Sequence, residues 1–214
     1  LPDYEEIPIK LEMNAAVKEE YDRLEKVLRH VITNEKKIAK KILSRYLGLL
    51  STYPDQPYNH EPIYYPKSKD AIVEPKDISC FEELHEKDLV VLDIVERKVK
   101  NGERVLIYTN WVKIDTQNKL SKLLSEKGYR VATLRVNIPP DKREEWVEKK
   151  VKEGIDILIT NPTLVETGLD LNPFTTLIYY NIGYNLFTFR QSSRRSWRIN
   201  QMAPRIEVYI LYYE

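Results

Sequence analysis

The chain of 214 residues carries one cysteine, Cys80, and three well-separated histidines, His30, His60 and His85. A single thiol excludes an internal disulfide and fits a reducing, intracellular setting such as cytoplasm, nucleoid or nucleus. Histidines without companion cysteines offer no recognisable zinc site, so no metal ligands are assigned. No apolar run approaches the roughly 20 residues that cross a bilayer, and no signal peptide is visible, so no membrane partner is expected. The net charge is only +1, which leaves any affinity for polyanions to a local patch rather than to the field of the whole protein. Two signatures are also missing: there is no Gly-x-x-x-x-Gly-Lys-[Ser/Thr] loop and no Asp-Glu-x-His box. The phosphate-gripping lysine and magnesium carboxylate that such motifs supply are therefore absent. The first residue is Leu1 rather than methionine, as expected of a piece of something longer.

The chain has 42% hydrophobic residues, enough for a core. "IPIKLEMN" (7–14) alternates as a strand does, and Val17, Tyr21, Leu24, Leu28 and Val31 recur at helical spacing. A second helix carries Ile38, Ile42, Tyr46 and Leu49 on one face. Pro54, Pro57, Pro62, Pro66 and Pro75 then predict an irregular connector. From about Phe81 short apolar strands alternate with helices: "RVLIYT" (104–109), "RVATLRV" (130–136), "IDILITN" (155–161), "TTLIYYN" (175–181) and "RIEVYILYY" (205–213). Asp141 and Glu144 resemble a capping box opening one of those helices. This pattern predicts an α/β fold, a parallel sheet flanked by helices and preceded by a helical N-terminal region. The expected division is 1–80, strand, helices and connector, and 81–214, the α/β lobe. Ligands of such sheets gather at the loops beyond the strands' carboxyl ends.

Three loops there are unusual. Asn110 and Trp111 follow the first strand of the lobe; they suit a helix cap and core packing as well as a ligand. Thr163, Thr167, Gly168 and Asp170 follow "IDILITN", where free amides and hydroxyls could hold phosphate oxygens or where Gly168 could simply ease a turn. "RQSSRRSWRINQ" (190–201) packs four arginines and two glutamines together. On a helix, Gln191, Arg195 and Arg198 share one face, with Arg194, Arg198 and Gln201 as an adjoining row. Guanidinium forks suit phosphate oxygens; a solvated basic helix end is the alternative.

Taken in order, these segments resemble the second RecA-like lobe of superfamily 2 helicases, most closely the Swi/Snf-type DNA translocases. Gln191, Arg195, Arg198, Ile199 and Gln201 match that family's motif VI, approximately Gln-x-x-x-Arg-x-x-Arg-Ile-Gly-Gln. "RVLIYTNW" is similar to motif IV, "LRVNIPPDKRE" to the Leu-Arg-Leu-Asp-Gly segment with Arg143 at its arginine, and "TNPTLVETGLDLN" to motif V. Arg194, Trp197 and Asn200 replace residues usually acidic, histidine and glycine, and Asp170 stands at a usual asparagine.

The resemblance implies an ATP-dependent helicase or translocase whose ATP and Mg²⁺ are held mainly by an absent N-terminal RecA-like lobe, in the same or a partner chain. It implies catalytic roles for Arg195, Arg198 and Gln191, with coupling to ATP by Thr167, Gly168, Asp170 and Gln201. Asn110, Trp111, Thr163 and Arg143 would meet the backbone of double-stranded DNA, with RNA as the alternative. A non-catalytic nucleic-acid or partner-binding module derived from such a lobe is the competing reading. A nucleotide-sugar transferase is a further one, but it lacks a Gly-x-Gly-x-x-Gly fingerprint and an evident general base.

Overall fold

The computed structural model describes residues 1–111, 114–166 and 168–214. In chain order the elements are β1 (Asp3–Leu11), α1 (Ala15–Asn34), α2 (Lys36–Thr52), β2 (Ile63–Tyr64), β3 (Ala71–Val73), α3 (Glu86–Lys100), β4 (Arg104–Tyr108), α4 (Thr116–Glu126), β5 (Val131–Leu134), α5 (Arg143–Lys152), β6 (Ile157–Thr160), β7 (Phe174–Tyr179), α6 (Leu186–Ser193) and β8 (Arg205–Tyr213). Two compact units result: residues 12–86 with Tyr213, and a larger one of residues 1–11, 87–212 and 214.

In the smaller unit α1 and α2 pair through the stripes expected from the periodicity: Val17, Leu24, Leu28 and Val31 meet Ile42, Tyr46 and Leu49. Asn14 caps α1 by accepting from the Val17 amide at 3.0 Å. The proline-rich stretch is irregular, apart from the antiparallel pair β2–β3, with Ile63 opposite Val73. It is pinned nonetheless. Buried Glu20 accepts the Lys76 amide at 3.0 Å, Arg23 bridges Glu20 to the Glu74 carbonyl, and the Tyr53 hydroxyl donates to the Lys76 carbonyl at 2.6 Å.

The larger unit is built on six strands in the order β1-β8-β7-β4-β6-β5. β5, β6, β4, β7 and β8 pair in parallel. At the edge the Asp3 amide donates to the Pro204 carbonyl and the Glu214 amide to the Leu11 carbonyl, so β1 runs the same way as β8. Successive side chains leave opposite faces of a strand. Val105 and Ile107 join Ile94, Val95, Leu120 and Leu124 on the α3–α4 face. Leu106 and Tyr108 join Val147, Leu169, Leu171 and Leu177 on the other. Both faces are covered, which is why these strands read as unbroken apolar runs.

After β6 the chain crosses back past β4 to lay down β7. The loops leaving β4, β6 and β7 therefore converge at a switch point, where open α/β sheets form their crevices. Asp141 and Glu144 do not make the expected capping box. Residues Pro140–Lys142 form a 3₁₀ turn, and α5 starts without a side-chain cap.

Candidate functional site

Each of the three convergent strands is followed within two residues by an asparagine: Asn110, Asn161 and Asn181. Together they form a clasp. The Asn110 amide donates to Asn181 Oδ1 at 2.7 Å, its Nδ2 donates to the Asn181 carbonyl at 2.6 Å, and Asn161 Nδ2 donates to the Asn110 carbonyl at 3.0 Å. Asn161 Oδ1 then accepts both the amide and the hydroxyl of Thr163, at 2.9 and 2.6 Å. Gly183 gives this clasp room: a Cβ there would lie 2.8 Å from Asn110 Oδ1, so a larger residue would have to displace that side chain. Trp111 stands edge-on to exposed Tyr184, ring centroids 5.8 Å apart.

α6 begins where Asn185 accepts from the amides of Phe187 and Thr188. Its floor is aromatic: the Tyr108 hydroxyl donates to the Ser192 carbonyl, and the Tyr179 hydroxyl pairs with Ser192 Oγ. Burial pushes both phenols well up, with the Arg195 charge pulling Tyr108 the other way, so they stay protonated donors. The expected helical face for Gln191, Arg195 and Arg198 is not what forms, because α6 ends at Ser193. Ser192 and Ser193 hydrogen-bond back to the carbonyls of Thr188 and Arg190, a local competition with helix propagation. The arginines beyond sit in successive turns.

Those turns are fastened to the loop after β6 by four side chains. Arg195 Nη2 donates to the Glu166 carbonyl, Ser196 Oγ to that of Leu171 at 2.9 Å, Arg198 Nη2 to that of Leu169 at 3.2 Å and Gln201 Nε2 to that of Asn172 at 2.9 Å. Arg195 Nε is buried without a hydrogen-bond partner, as is Glu166 Oε1. Phe187, Arg190, Gln191, Arg194, Arg195 and Arg198 line one groove of about 340 Å³. Among the described residues none of its four arginines forms an ion pair with a carboxylate. A groove of uncompensated, half-anchored guanidinium groups is suited to a polyanion.

The structure thus brings Gln191, Arg195 and Arg198 together by turns rather than by one helix. Gln201 stands apart from that groove: its side chain bridges the carbonyls of Asn172 and Ser196 and the Ala203 amide. Asp170 caps its own loop, accepting from the amide and side chain of Asn172. Gly168 adopts φ +81, a left-handed conformation that other residues rarely take. Thr167 lies outside the described residues. Arg143, expected at a nucleic-acid surface, is instead only 7% exposed and braces its own chain by donating to the carbonyls of Ile138 and Leu164. The side-chain amide of Asn110 is likewise engaged, by Asn181. Sequence reasoning missed Asn161, Asn181 and Arg190; the repeated asparagine after the three strands was the available signal.

The family described as "Helicase conserved C-terminal domain" matches residues 86–200. An uncharacterized ATP-dependent helicase of Methanocaldococcus jannaschii is 26% identical over 189 residues, 85% of this chain but only 24% of that protein. Among solved structures, the C-terminal part of the Fun30 ATPase domain superposes with a TM-score of 0.73 at 17% identity, covering 100% of this chain and 86% of that one. The Sulfolobus solfataricus SWI2/SNF2 ATPase core in complex with dsDNA gives 0.69 at 18% identity, covering 100% and 42%. These two likenesses are of fold, and the fold is the RecA-like lobe that the family resemblance implied.

Proposed function

The chain belongs to the helicase conserved C-terminal domain family, and from that premise we propose that it is half of an ATP-hydrolysing motor of Swi/Snf type, completing a nucleotide site whose other half lies on a first RecA-like lobe. The observation that carries this reading is the groove beside α6, where, among the described residues, Arg195 and Arg198 pair with no carboxylate. Each is fixed by one bond to a backbone carbonyl, which orients the guanidinium and leaves further N–H donors free. In phosphoryl transfer the protein mainly positions groups and stabilises charge, and arginines brought to the transferring phosphoryl contribute about 10³–10⁵ in rate. Gln191, on the same groove, orients that contact or the attacking water.

ATP is the substrate in this reading, and the cationic groove fits its phosphates. Following the family resemblance, Mg²⁺ is assigned to the first lobe, where it would neutralise phosphate charge. The loop after β6 links the two tasks of the lobe. Its carbonyls hold the arginines, and its first turn carries Thr163 and the asparagine clasp. Movement of the arginines on lobe closure is thereby passed to the loops bearing Trp111 and Thr163, which we assign to the backbone of duplex DNA. Asn110, Asn161 and Arg143 act behind that surface by holding the loops. Contacts to phosphates alone carry no base information, so binding is sequence-independent and weakens with salt.

In the protein that carries both lobes, Arg198→Ala should lower DNA-stimulated ATP turnover about a thousandfold while ATP binding persists. Turnover within a factor of about two of the parent, measured under saturating ATP, is incompatible with an arginine finger of that size.

A further inference from the structure

We propose that the groove beside α6 binds an oligophosphate chain without help from any other domain, with Arg190 and Arg194 forming an outer phosphate subsite next to the inner pair, Arg195 and Arg198. This deepens the half-site reading and rests on it. The two pairs differ in how they are held. The inner arginines are half-buried and bonded to the carbonyls of Glu166 and Leu169, whereas Arg190 and Arg194 are exposed. Among the described residues the outer guanidinium groups make no hydrogen bond or ion pair; Arg194 only stands over the Trp197 ring, 5.6 Å from its centroid. Four like charges lining about 340 Å³ repel one another until an anion enters.

The inner pair alone matches one terminal phosphoryl group. A groove that continues to two more guanidinium groups matches a chain of linked phosphates, whose charges repeat along its length. Arg195, which lines the groove, also carries a buried Nε without a hydrogen-bond partner, a donor left unpaired beside the anion site. Phe187 is 66% exposed on the same groove. Gln191 is the one uncharged polar side chain among the residues lining it, so the affinity belongs chiefly to the phosphates. The lobe would therefore hold the triphosphate tail of a nucleotide, or inorganic polyphosphate, before lobe closure.

The test is calorimetric titration of the 214-residue chain with inorganic tripolyphosphate, with ATP and adenosine as parallel arms. Saturable binding of tripolyphosphate and of ATP with affinities within about threefold, and none of adenosine, is expected if only phosphates are read. Arg190→Ala with Arg194→Ala should weaken tripolyphosphate binding by about tenfold or more, and raised salt should weaken it further. Arg190→Lys with Arg194→Lys keeps the charge and should retain most of the affinity, which separates charge from folding. Binding by the double alanine variant within about twofold of the parent, or no saturable binding by the parent, overturns the proposal. So does a DNA duplex that displaces tripolyphosphate and is itself weakened equally by the alanine pair, since the groove would then serve phosphodiesters. If the outer pair proves silent while Arg198→Ala still abolishes turnover in the two-lobe protein, the outer subsite falls and the half-site stands.

Discussion

Lys98, Arg104 and Arg205 line a cavity of about 420 Å³ at the amino ends of β4, β7 and β8, while Arg190, Arg194, Arg195 and Arg198 line one of about 340 Å³ beside α6. Both are cationic recesses on one sheet, and only their surroundings differ. At the amino edge Lys98 meets Glu207 at 2.5 Å and Glu103 at 3.3 Å, and Arg205 pairs with Glu5 and Glu207. Glu103 also accepts from the hydroxyls of Thr175 and Thr176. That larger recess is neutralised from within and braces the strand ends. Beside α6 the charges are left open. The two recesses share size and residue type, and charge compensation is what separates them.

The widest contrast should appear when one cation is removed from each side. Lys98→Met leaves two carboxylates without their ammonium and should cost about 3 kcal/mol of stability, read by denaturant unfolding, without altering tripolyphosphate binding. Arg198→Met should change stability by less than about 1 kcal/mol, since it removes one half-exposed bond to a carbonyl. Equal losses at the two sites would erase the distinction.

A second break concerns the clasp, which is polar yet self-satisfied like the amino edge. Asn181→Ala removes the side-chain oxygen that accepts the Asn110 amide, while the Asn181 carbonyl that accepts Asn110 Nδ2 remains. It should cost about 2 kcal/mol and speed hydrogen exchange in the loops after β4 and β6. Unchanged exchange there would mean that the asparagines do not hold the loops together.

The smallest effect is in pH. Burial alone would raise the Glu207 carboxyl, but hydrogen bonds from Lys98 and Tyr209 hold it below its ordinary value of 4.5. A depressed folded value contributes stability above the unfolded value, and this is lost as pH falls from 4.5 through the folded value. Glu207→Gln should therefore flatten the acid limb of the stability profile.

Much of the fold was legible because its signals are local. β4, β6 and β7 announce themselves as apolar runs, and α3 and α4 stop at Gly102 and Gly128, whose φ values of +78 and +92 few other residues adopt. The site was legible only in part. Arg195 and Arg198 stand out by composition, yet α6 stops at Ser193, short of both. The Asn110–Asn181 bonds join residues 71 apart and the Asn161–Asn110 bond residues 51 apart. Arg143 looks like any surface cation until Ile138 and Leu164 surround it. Which cations find a carboxylate is decided by such long-range neighbours.

The most direct measurement is ATP turnover by the 214-residue chain alone and after mixing with a separately prepared first lobe and duplex DNA. The account predicts no hydrolysis by the chain alone, restored turnover in the mixture, and loss of that turnover when the chain carries Arg195→Ala. Hydrolysis by the chain alone, or restored turnover indifferent to Arg195, would contradict it.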